Sequence, residues 1–144
     1  MTGIVFHHDI SRLTHDLQAL ANPSLVDKAA RAVGAYMIGE VQKHFDEQTL
    51  WDDSAMPASE AATARAGQTL LNTGALRDSY HPQTQGANVL IGSDLIYAAI
   101  HHAGGKAGRN HAATIAPRPV LGVNPRNERD IIDEITGVFM GALA

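Results

Sequence analysis

The segment that opens at Asn22-Pro23-Ser24 leaves this chain the least choice of structure. Asn caps a helix through its side chain, and Pro suits the first helical turn, where its missing N–H has no partner to lose. After that opening Val26, Ala30, Val33, Met37, Val41 and Phe45 recur every three or four residues, while Asp27, Lys28, Arg31 and Lys43 fall largely off that line. The spacing predicts an amphipathic helix to about Phe45. Gly34 and Gly39 each weaken it by roughly 1 kcal/mol relative to Ala, so something is expected to pack close against them.

Other elements are shorter. Gly3 to His8 reads as an edge strand, and Ile10, Leu13, Leu17 and Leu20 predict a first helix from about Ile10 to Ala21. From Asp46 to Gln68 the periodicity dissolves into an acidic loop that holds the only Trp, with one short helix at Ser59 to Ala66. Loops of that length in a small protein are functional or disordered. Asn72-Thr73-Gly74 are turn formers, Ala87 to Gly92 alternates like a strand, and Leu95 to Ala103 reads as a short helix with Ile96, Ala99, Ile100 and Ala103 on one side. Tyr97 and Ile100 are expected in the core, with a hydrogen-bond partner for the Tyr97 hydroxyl. Gly104 to His111 has the composition of a mobile loop, ordered only on assembly, and a strand at Ala112 to Ala116 follows. Pro117-Arg118-Pro119 holds the chain extended, and Asn124-Pro125 opens a last helix striped by Ile131, Ile135, Val138, Phe139 and Leu143.

This order predicts an α+β fold in one domain over 1–144: N-terminal helices and a C-terminal helix packed on a small, mainly antiparallel sheet. With 144 residues, folding can bury roughly two thirds of the extended-chain surface in one core. Only 5% of the chain is aromatic, so that core is expected to be aliphatic.

Composition excludes several kinds of chemistry. A formal net charge of -4 with scattered Lys and Arg argues against strong nucleic-acid binding, and the absence of Cys removes disulfides and thiolate metal sites. Neither a leader-like start nor a run of membrane-spanning length is present, which predicts a soluble protein made in the cytoplasm. His101, His102 and His111 bracket one loop, but no metal-binding spacing links them, so no metal and no other cofactor is expected. Ser79 beside Asp78 and Ser93 beside Asp94 lack a nucleophile elbow, so no catalytic residue is assigned, and a His-dependent hydrolase ranks as the third reading.

Interface chemistry has better candidates. Arg118, held between two prolines, is suited to a carboxylate or carbonyl partner, and its removal is expected to block assembly while leaving the fold intact. Trp51 is either a local anchor or an interface hot spot. His101, Lys106 and Arg109, on or beside the Gly-rich loop, complete the set.

Three signatures stand in order: Leu71-Asn72-Thr73-Gly74-Ala75-Leu76, Tyr97-Ala98-Ala99-Ile100-His101, and Arg118-Pro119-Val120-Leu121-Gly122. With Trp51 and Val89-Leu90-Ile91-Gly92 they resemble the phage virion morphogenesis family, the tail-completion proteins of Mu-like and related tailed phages. The chain departs from the family pattern at Glu47 to Leu50 and at His102-Ala103. The resemblance implies a non-enzymatic structural protein in tail completion or head-tail joining, forming a homo-oligomeric ring against tail-tube or head-neck proteins. It implies assembly in the cytoplasm of a bacterial host, and then a place in the virion. The alternative is a small-ligand or protein-binding module unrelated to phage.

Overall fold

The computed structural model describes residues 11–144, apart from the side chains at positions 13, 14, 19 and 20, so the strand predicted at Gly3 to His8 lies outside the described residues. Helices α1 (Ser11–Leu20) and α2 (Pro23–Glu47) are followed by the short helices α3 (Glu60–Ala64) and α4 (Ala75–Ser79). Strands β1 (Tyr80–Gln85) and β2 (Asn88–Ser93), helix α5 (Ala98–Ala103), strands β3 (Gly105–Ala107) and β4 (Ala113–Ile115), and helix α6 (Pro125–Leu143) complete the order. The α+β class holds.

Helix α2 is the spine, with β1, β2 and α6 packed along it and α1 against α6. Asn22 caps it as its sequence requires, Oδ1 accepting from the Ser24 N–H at 2.9 Å. Its buried line runs through Ala30, Met37, Val41 and Phe45 as the periodicity predicts. Val26 and Val33 are only half-buried and line a groove beside α6. At the C-terminal end Gln48 adopts the left-handed conformation and ties the long loop down: its side chain donates to the Phe45 and Thr69 carbonyls and accepts from the Thr69 N–H. The stretch from 48 to 74 is therefore clamped to the helix end.

Close packing is confirmed at one glycine of α2 and absent at the other. A Cβ on Gly34 would lie 2.9 Å from Cβ of Pro82 in β1, whereas at Gly39 nothing stands within 4 Å. Gly34→Ala is therefore expected to destabilise by about 1–3 kcal/mol through overpacking, and Gly39→Ala to stabilise by about 0.5–1 kcal/mol. Opposite shifts in the urea midpoint check both, and two shifts of the same sign would contradict the packing.

The small sheet is divided. Strand β2 pairs antiparallel with β1, Pro82 opposite Ile91, and β4 pairs with β3, Lys106 opposite Thr114. The two strands predicted within the described residues exist, yet each partner escapes local reading. His81-Pro82-Gln83-Thr84-Gln85 has weak strand propensity and is held by β2 and by α2, while β3 lies within the segment read as a mobile loop. That segment is an ordered hairpin with a 3₁₀ turn at Arg109–His111, because Gly104, Gly105 and Gly108 take positive φ and bend the chain back. Gly104 also abuts Pro117, where a Cβ would meet the ring at 2.9 Å.

Gly74 ends the Asn72-Thr73-Gly74 bend at φ +83 and opens α4, which agrees with the turn reading. Helix α5 starts later than predicted, and the face assigned to it is largely open, with Ile96 98% exposed and Ala99 and Ala103 exposed; of the two residues expected in the core, Tyr97 is 44% exposed and Ile100 only half-buried. The Tyr97 hydroxyl meets no hydrogen-bond partner among the described residues; its ring lies edge-on to His101 at 6.0 Å. The core instead gathers Val41, Phe45, Met56, Leu76, Tyr80, Ala98 and Val120.

His44, in the last turn of α2, is buried beside this core with Nδ1 2.8 Å from the Thr49 hydroxyl. Burial pushes its pKa below the ordinary imidazole value, and the pull of Asp53 and Glu40 only partly offsets this. The unfolded chain then binds the extra proton first, so stability is complete above about pH 6.5 and falls as the pH drops through that value. His44→Gln is expected to flatten that slope in urea melts between about pH 5 and 7. An unchanged slope would assign the acid response elsewhere.

Candidate functional site

The Trp51 loop and the Pro117-Arg118-Pro119 segment come together through backbone bonds that neither could form alone. The Trp51 N–H donates to the Pro119 carbonyl at 3.0 Å, and the Arg118 N–H to the His101 carbonyl at 2.8 Å. Gly122 lets the indole lie flat on the chain, since a Cβ there would stand 2.7 Å from the Trp51 ring. Half-buried Trp51 is thus spent on anchoring its own loop.

Arg118 is only 8% exposed, and its guanidinium faces carbonyl oxygens. Nε donates to Pro57 at 2.7 Å, Nη2 to Ala58 at 3.2 Å and Nη1 to Ala116 at 3.3 Å. A carbonyl contact was one of the two expected partners. The guanidinium ties Pro57 and Ala58 of the long loop to Ala116 of the return segment, a contact within the fold that gives this side chain a part in stability as well as in the cleft.

Asn124 and Asn127 begin α6 with reciprocal caps, Asn124 Oδ1 accepting from the Asn127 N–H at 2.9 Å and Asn127 Oδ1 from the Asn124 N–H at 3.1 Å. The Asn124 amide also donates to the Trp51 carbonyl at 2.9 Å. Next to it Arg126 meets Glu40 at 2.6 Å and Asp53 at 3.2 Å, and Asn127 reaches both Glu40 and Tyr36. Burial pushes the Glu40 carboxyl up, but Arg126 and Asn127 hold it below its usual value, while Arg126 stays charged at any working pH. This polar seam joins α2, α6 and the Trp51 loop. Asn124-Pro125 signalled the start of α6, but the reciprocal cap from Asn127 was not read, and the partners at 36, 40 and 53 are too distant in sequence to infer.

The interface candidates separate in space. His101 and Arg118 share one open cleft of about 360 Å³ between the 59–76 segment and α5, together with Arg65, which the sequence reading did not single out. Lys106 and Arg109 stand exposed on the β3–β4 hairpin, outside the cleft lining. Burial, with Arg118 nearby, depresses the His101 pKa, and its Nδ1 is buried without a hydrogen-bond partner.

No catalytic geometry surrounds the two serines. The Ser79 hydroxyl lies 2.7 Å from the Leu76 carbonyl and 2.6 Å from the Ser93 hydroxyl, and His81 turns Nδ1 to a backbone carbonyl. Asp78 pairs with Arg77. Among the described residues no three His, Asp or Glu side chains converge as a metal site, and no helix is long and apolar enough to cross a membrane.

The model of the phage virion morphogenesis family matches residues 8–139. The chain belongs to that family. It is 31% identical over 109 residues to Mu-like prophage FluMu G protein 2 of Haemophilus influenzae, covering 76% of this chain and 75% of that protein. No solved structure matches. As a member of the virion morphogenesis family, the chain has a structural role in building the phage particle; of the segments that carried the resemblance, 71–76, 97–101 and 118–122 meet at the cleft and the Trp51 loop, while 89–92 lies in β2 away from it.

Proposed function

We propose that this chain completes the phage tail or joins it to the head, as copies arranged in a ring around the tail axis and without a catalytic step. The family match across residues 8–139 carries the reading. The fold supports it by leaving apolar surface for neighbours. Of the predicted α6 stripe, Ile131, Ile135 and Phe139 are only half-buried and line, with Val26, Val33 and Val89, a groove of about 400 Å³. Ile132 and Met140, one helical face further round α6, stand 61% and 60% exposed. Contacts between unlike faces of identical subunits close into rings, and α6 offers two such faces.

In this role the protein works in the host cytoplasm while particles are built and then remains in the virion, against further copies and the tail tube or neck. Particles assembled without the chain are expected to carry unjoined or unterminated tails by electron microscopy, with infectivity restored by adding the purified protein. Normal infective particles in its absence would overturn the role. A strict monomer in sedimentation, even when mixed with its tail tube, would overturn the ring.

A further inference from the structure

Arg118 presents an electrostatic problem that the subunit does not solve. Buried charges in proteins are paired with opposite charge, because desolvation of an ion costs several kcal/mol or more. Arg118 is buried, yet among the described residues its bonds go to three neutral carbonyls and to no carboxylate. Arg65, on the other wall of the cleft, is exposed; its Nη2 donates to the Gln68 carbonyl, and no ion pair forms among the described residues, so it adds a second positive charge to the lining. Other arginines that pack between elements do find carboxylates, Arg77 with Asp46 and Asp78, Arg126 with Glu40, Asp53 and Asp130. The cleft is thus cationic in a chain whose net charge is -4, and among the described residues no Asp or Glu lines it.

The remaining lining decides what kind of anion fits. Leu70, Leu76 and Ile115 form apolar wall, and the half-exposed Tyr97 ring stands beside His101. His101 contributes a buried Nδ1 without a partner, an unpaired polar atom of a kind folded proteins seldom leave. Ile96, almost wholly exposed, precedes Tyr97 in the chain and adds apolar surface to that stretch. A free inorganic anion would satisfy the arginines and leave the apolar wall wet. Nucleic acid would bring phosphate to a chain that repels it elsewhere.

We propose that this cleft binds an acidic segment of a partner protein, an Asp or Glu carboxylate set between Arg65 and Arg118 with an adjoining apolar side chain against Leu76 and Ile115. The site goes beyond the assembly role and is tested without it, so failure of either leaves the other standing. Charge-assisted pairing to two guanidinium groups supplies selectivity for a carboxylate over its amide.

The test uses the isolated full chain and a terminally blocked tripeptide of leucine, aspartate and leucine, followed by the amide shifts of residues 72–76 and 97–101 in NMR. Saturable shifts with a Kd on the order of 1 mM are expected, weakened roughly tenfold in the twin peptide that carries asparagine. Arg65→Gln, at an exposed position, and Asn72→Asp, which places a carboxylate in the cleft, are each expected to abolish saturation while thermal melting is retained. Equal binding of the twins, no saturation up to about ten times that concentration, unchanged binding in Arg65→Gln, or stronger shifts of the same amides by a short DNA duplex would overturn the proposal.

Discussion

Arg118→Ala is expected to lower the stability of the isolated chain by about 2–4 kcal/mol, since each hydrogen bond from a charged donor contributes about 1.5–3 kcal/mol and three are lost together. The carbonyls of Pro57, Ala58 and Ala116 converge on one guanidinium, and no neighbouring donor is in place to succeed it. The urea midpoint should fall by roughly 1–2 M at unchanged slope. Arg118→Lys should recover only part of the loss, because one ammonium cannot match the planar fork that reaches both the loop and the return segment. Fewer particles in vivo would then follow from a weaker fold as well as from a damaged contact. An unchanged midpoint in Arg118→Ala would return the residue to a pure interface role.

Phe45→Ala is expected to cost about 3–5 kcal/mol, the range for removing a fully buried aromatic ring. The ring is 0% exposed and lies 6.0 Å from the Tyr80 ring. Around it the core draws Met56 from the long loop, Leu76 from α4, Ala98 from α5 and Val120 from the return segment, so the cavity would loosen every wall of the cleft at once. Total stabilities of about 5–15 kcal/mol leave such a variant close to unfolding at physiological temperature. A loss below about 1 kcal/mol would show that the surrounding residues collapse onto the space.

Helices α2 and α6 were legible because their evidence is local. Asn-Pro openings and apolar repeats of three or four residues set where each helix begins and which face turns inward. Strands β2 and β4 were legible for a similar reason, through alternation bounded by turn residues. Strands β1 and β3 were not, since their residues become strand only through the partner opposite them. The same holds for Tyr97: helical spacing places it near apolar residues, but the core closes on Ala98 and leaves the ring at the cleft.

Arg118 marks the boundary most clearly. Two flanking prolines announced that its backbone is held extended, which is a property of the residues themselves. Its burial and its carbonyl partners depend on where the loop near Pro57 returns, about sixty positions away in sequence. By itself, then, the sequence determined the two capped helices, the α+β class and the family signatures, because propensity, capping and periodicity act between near neighbours. Only the tertiary structure decided which glycine is crowded, which arginine is buried and which segments wall the cleft, because desolvation and steric contact are set by neighbours that chain order does not place side by side.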